Sequence, residues 1–134
     1  MLTQQEVSLV QADWDKVLPI VDTAATIFYD RLFEIDPKLK ALFKSDLGEQ
    51  KRKLMQVIGV AVNGLGDLPA LVPTVQGLGK RHTGYGVKPA DYQTVGSALL
   101  FTLKKGLGDG FDGAHEAAWT KVYGLLSRTM IEAS

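Results

Sequence analysis

Val75-Gln-Gly-Leu78-Gly-Lys-Arg-His82-Thr-Gly-Tyr-Gly-Val87 is the stretch on which the fold turns. Val75, Leu78 and His82 recur at the spacing of one helix face. His82 therefore lies on an apolar stripe, and Gly84 and Gly86 stop the helix behind it. An imidazole in that position is costly unless its nitrogens find partners. The chain has only two histidines and no cysteine. Two explanations stand open for His82: a hydrogen-bonded core histidine, or the ligand of a metal that a cofactor brings in.

Helical periodicity continues on both sides. Thr3 and Glu6 form a capping box in front of Val7, Val10, Trp14 and Val17. Pro19 marks a break. Val21, Ala24, Ala25, Phe28 and Leu32 then share a face, with Tyr29 and Phe33 one position round. Asp36-Pro37 is an N-cap followed by proline at the first helical position, so a short helix is expected through Leu39 and Leu42 to Phe43. Ser45 to Gly48 reads as a turn. The next helix starts near Glu49 and turns Leu54, Val57, Ile58, Ala61, Val62 and Leu65 inward. Pro69 and Pro73 predict a broken helix, with a kink at Pro73 before the segment carrying His82. Pro89 starts a helix with Tyr92, Val95, Leu99 and Leu103 on one face. Gly106 to Gly113 is a glycine-rich loop. The last helix is expected to turn Ala118, Val122, Leu125, Leu126 and Met130 inward, beside Trp119 and Tyr123. No strand-like alternation competes. The expectation is one all-α domain, residues 1–134, of six to eight helices.

Composition narrows the function. The chain has 134 residues, enough for one real core. Fifteen basic residues balance fifteen acidic ones, so no bulk field favours nucleic acid or an anionic membrane. The absence of cysteine excludes disulfides, thiolate metal sites and covalent attachment of a c-type haem. No signal peptide is evident at the N-terminus, and the longest apolar run, near Val57 to Val62, is too short to span a bilayer. A cytoplasmic protein is expected.

Several motifs are decoys. Gly108-Asp-Gly110-Phe-Asp-Gly113 matches a dinucleotide fingerprint but follows a helix, with no βαβ unit around it. The acidic loop at Asp109 and Asp112 has Thr120 where an EF-hand glutamate would fall. His115-Glu116 begins like a zinc helix but reaches Trp119 where the second histidine belongs. His115 is therefore expected in solvent.

The positive signal is a constellation. A lone imidazole holds a bare ion poorly, because protein metal sites use three or four ligands. One histidine suffices when a porphyrin supplies the other four donors. Such a group needs a flat apolar slot, and Phe43 is a ring placed to pack on it. Gln50 and Leu54 are four apart and share a helix face. Tyr29 is a polar tip on an apolar helix.

Phe28-Tyr29, Leu32-Phe33, Asp36-Pro37 with Leu42-Phe43, Arg52 to Val57, Leu78 to His82, Tyr85-Gly-Val87 and Ala118 to Gly124 together resemble a globin over essentially the full chain. The resemblance is to bacterial single-domain globins related to flavohaemoglobins, and most of all to the "Hell's Gate" type of methanotrophs. It implies the globin fold, three helices over three around a haem pocket, and non-covalent haem b (iron protoporphyrin IX). It implies His82 as the proximal iron ligand, Phe43 packed on the haem, and Tyr29, Gln50 and Leu54 on the distal side. Leu78, Val87 and Tyr92 then line the cofactor site, with Arg81, Lys51 or Arg52 as candidate partners of the haem carboxylates.

The expected function is high-affinity oxygen binding through haem, with Tyr29 and Gln50 hydrogen-bonding the ligand. Dioxygen and other diatomic molecules are the expected partners. The alternative is nitric oxide dioxygenation, converting NO to nitrate with a separate reductase, since no flavin or nicotinamide domain follows. Flavohaemoglobins flank the proximal histidine with a tyrosine and a glutamate. Tyr92 answers the first. Ser134 stands at the glutamate's position, and Glu132 lies about 200° away around a helix.

Overall fold

Thr3 and Glu6 open the first helix by exchanging two hydrogen bonds. The Glu6 amide donates to Thr3 Oγ1 at 3.1 Å, and the Thr3 amide donates to Glu6 Oε1 at 2.9 Å. The computed structural model describes residues 2–42, 47–84 and 87–133. Among them are six α-helices: α1 (Gln4–Val17), α2 (Val21–Ile35), α3 (Leu47–Asn63), α4 (Leu68–Gly84), α5 (Pro89–Leu107) and α6 (Gly113–Ala133). Four 3-10 segments join or extend them: Leu18–Ile20, Pro37–Leu42, Gly64–Gly66 and Gly108–Gly110. No described residue is in a strand.

The capping signals act where expected. Asp36 Oδ1 accepts the Lys38 amide at 3.1 Å and so starts the Pro37–Leu42 segment. Pro89 is in the first turn of α5, and the Lys88 amide donates to Asp91 Oδ2 at 2.9 Å. Gly108 ends α5 with φ of 57°, in the left-handed region where a side chain is strained.

The apolar faces meet in one core. Trp14, Phe28, Leu32, Val62, Leu103, Trp119 and Val122 are all buried in it. Each such side chain contributes about 1.5–3 kcal/mol by leaving water. α4 packs chiefly on α6, and α2 on α5 and α3.

Four expectations are corrected. α4 is continuous across Pro69 and Pro73. Pro69 falls in the first turn, where its amide would have no helical partner. The amide that Pro73 lacks would have gone to the Pro69 carbonyl. Both prolines are exposed, so water can take that carbonyl. Leu125 faces outward at 36% exposure, because α6 buries Ala118, Trp119 and Val122 instead. Met55, absent from the expected inward face of α3, is buried there, while Val57 lines the interior cavity although 38% exposed.

The fourth correction is His115. Its Nδ1 lies 2.6 Å from Asp13 Oδ2, and only 17% of its side chain is exposed. Trp119 Nε1 donates to the same oxygen at 3.0 Å. Asp13 has no exposed surface, and its Oδ1 is buried without a partner. A single carboxylate oxygen thus ties α1 to two points on α6. Replacing Asp13 with alanine leaves two buried donors unsatisfied, so Asp13→Ala is expected to lose about 2–4 kcal/mol. The exposed neighbour change Asp15→Ala is expected to stay within about 0.5 kcal/mol of wild type. Urea midpoints of the three proteins check this, and equal midpoints for the two variants would contradict it.

Candidate functional site

α2, α3, α4, α5 and α6 enclose a cavity of about 890 Å³, near the upper end for a small-molecule site. Tyr29 and Leu32 reach it from α2, Gln50 and Leu54 from α3, Leu78 and His82 from α4. Val87 follows α4, Tyr92 and Leu99 come from α5, and Tyr123 and Met130 from α6. Seven sequence candidates therefore share one cavity: Tyr29, Gln50, Leu54, Leu78, His82, Val87 and Tyr92. Phe43 lies outside the described residues, as do Tyr85 and Ser134.

His82 is held by its own helix. Nδ1 is 2.7 Å from the Leu78 carbonyl oxygen, one turn back. A carbonyl only accepts, so Nδ1 carries a proton, and of the two neutral tautomers this bond selects the one with its lone pair on Nε2. That is the tautomer a metal-binding imidazole needs. The Tyr92 ring stacks beside it, with centroids 6.3 Å apart and planes 29° from parallel.

Tyr92 is steadied in turn by α6. The Tyr123 hydroxyl donates to the Tyr92 carbonyl at 2.5 Å. Gly96 makes room for that ring, since a Cβ there would come within 2.7 Å of it. Burial, reinforced by Tyr92, pushes the Tyr123 phenol well above its ordinary pKa. Burial also raises that of Tyr92. Both are neutral at physiological pH.

Tyr29 is fixed by aromatic packing. Phe28 meets its ring edge-on at 5.2 Å, and Phe33 lies 5.8 Å away. Its hydroxyl is 3.5 Å from the Gln50 carbonyl oxygen, a long and weak hydrogen bond that costs little to exchange. Burial pushes the phenol up to about 12, so it remains a proton donor.

Two cations edge the apolar wall. Lys53 and Arg81 both line the cavity and are both exposed. Of the three bases expected near carboxylate groups, only Arg81 lines the wall. Lys51 reaches Thr26 Oγ1 at 3.4 Å, and Arg52 is exposed off the wall. The sequence reading missed Lys53 and Tyr123. Lys53 was legible as the residue three after Gln50 and one before Leu54. Tyr123 had no signal, because its partner lies 31 positions away.

The residues fit a flat apolar group with a metal at its centre and charged edges. The cavity is mainly hydrophobic, the His82 imidazole lines it, and Lys53 and Arg81 suit carboxylates. A family model described as Globin matches residues 26–130.

The chain belongs to the globin family.

A globin holds haem and takes small diatomic ligands, which suits this cavity. The globin superposes with a TM-score of 0.85 on an engineered carbene transferase from Rhodothermus marinus, derived from a protein named for nitric oxide dioxygenation. The two are 23% identical over 96% of this chain and 89% of the other. At that identity the match speaks for the fold. No described helix is long and apolar enough to cross a membrane.

The raised Tyr29 pKa has a measurable sign. In the unfolded chain this phenol ionises near pH 10, and in the folded globin near 12. Stability that is full below about pH 10 is therefore lost as pH climbs toward 12. Tyr29→Phe is expected to flatten that decline in a series of urea midpoints against pH. Parallel declines would contradict the burial of the phenol.

Proposed function

We propose that this globin is a bacterial oxygen-binding haem protein of high affinity. We place it with the flavohaemoglobin-related single-domain type, nearest the "Hell's Gate" globins. The cofactor is haem b, non-covalent because the chain has no cysteine to attach it. The observation that carries the reading is the bond from His82 Nδ1 to the Leu78 carbonyl, which puts the imidazole lone pair on Nε2.

When bound, haem would supply an iron centre for binding a diatomic ligand, and His82 would be the residue that holds it. The protein residues do the rest. His82 Nε2 binds and orients, with its ring angle set by Leu78 and Tyr92. Lys53 and Arg81 hold the carboxylate edge. Leu54, Leu78 and Val87 would keep water out of its surroundings; Phe43, the ring expected on the macrocycle, lies outside the described residues. The Tyr29 hydroxyl and the Gln50 side-chain amide, both on residues lining the cavity, would be the two donors to the ligand. Neither donor titrates near neutral pH, so ligand retention is flat there.

The name of the Rhodothermus marinus relative favours a second reading, nitric oxide dioxygenation with a separate reductase. Glu132 is exposed, so it does not supply the carboxylate that flavohaemoglobins set beside their proximal histidine. That weighs toward oxygen binding. Rapid, sustained NO consumption with the host's own reductase would reverse the order.

The test is oxygen release from Tyr29→Phe. A donor to a charged acceptor contributes about 1.5–3 kcal/mol, so release should accelerate roughly tenfold to a hundredfold. Stopped-flow measurement with a carbon monoxide chase reads it. An unchanged rate would contradict the role of Tyr29.

A further inference from the structure

Gly79 is buried against α6, three residues before His82. A Cβ built there would lie 2.3 Å from the Met130 carbonyl oxygen, 2.6 Å from its Cα and 2.8 Å from its carbonyl carbon. All three are main-chain atoms, so no change of rotamer relieves the overlap. The two helices touch backbone to backbone, closer than side chains at the crossing would allow. This crossing belongs to the most extensive helix pair in the fold.

Gly77 makes the contrast. It lies two residues earlier on α4, and a Cβ there meets nothing within 4 Å. Both glycines weaken a helix relative to alanine. Only Gly79 has a packing reason to be one.

The consequence falls on His82. Its ring is pinned to α4 through the Leu78 carbonyl, so it moves with that helix. Tyr92, whose ring stacks beside it, is tied at its main-chain carbonyl through Tyr123 to α6. The seat of α4 on α6 therefore fixes the imidazole relative to its neighbour and to the cavity. We propose that Gly79 is a positioning residue, whose main-chain contact with Met130 sets how far His82 Nε2 reaches into the cavity. An alanine would push α4 back by about 1 Å before ordinary van der Waals contact returned. The proposal rests on His82 being the iron ligand.

The experiment compares wild type, Gly77→Ala and Gly79→Ala, each loaded with haem and reduced without oxygen. Resonance Raman spectroscopy reads the iron–histidine stretch, and transfer to an excess of apomyoglobin reads haem release. Wild type and Gly77→Ala should share one band position and one release rate. Gly79→Ala should shift the band and release haem about tenfold faster or more. A Gly79→Ala protein with the wild-type band and rate would overturn the proposal. If wild type itself shows no iron–histidine band, the ligand assignment of His82 fails instead. Should Gly79→Ala not fold, the wild-type carbon monoxide complex decides by NMR. A strong nuclear Overhauser cross-peak between the Gly79 and Met130 α-protons supports the contact, and its absence overturns it.

Discussion

The hydrogen bond from His82 Nδ1 to the Leu78 carbonyl is the constraint on which the site depends. It selects a tautomer, fixes a ring angle and gives Nε2 the lone pair. A histidine on an apolar helix face would otherwise be an uncompensated polar group. The surrounding structure serves that imidazole. α4 supplies the acceptor, α5 supplies the stacked Tyr92, and α6 steadies Tyr92 through Tyr123.

On another wall the logic is different. Tyr29 is buried among Phe28 and Phe33, which keeps its phenol neutral and its ring still. Its hydroxyl lies 3.5 Å from the Gln50 main-chain carbonyl oxygen. The two walls thus differ: a short bond from His82 to the Leu78 carbonyl on one, a long bond from Tyr29 to the Gln50 carbonyl on the other.

Local signals were readable in advance. The Thr3–Glu6 box, the Asp36 cap and the start of α5 at Pro89 each depend on residues within four positions, so the chain announces them. The cavity residues were legible because helix periodicity and the globin resemblance pointed to the same positions. What stayed hidden was long-range. Nothing close to Asp13 in the sequence marks it, because His115 and Trp119, its partners, lie more than a hundred positions later. Pro73 reads as a break because the exposure of both prolines cannot be seen in one dimension. Gly79 and Gly77 look alike until α6 passes over only one of them.

The central claim is that this cavity holds one haem through His82. The direct measurement is titration of the apoprotein with haem, followed by visible absorption of the ferrous form before and after oxygen. The account predicts saturation at one haem per chain, a five-coordinate ferrous spectrum, conversion to a stable oxygenated one, and loss of that behaviour in His82→Ala. Failure of the wild-type protein to take up haem, or an unchanged spectrum in His82→Ala, would contradict it.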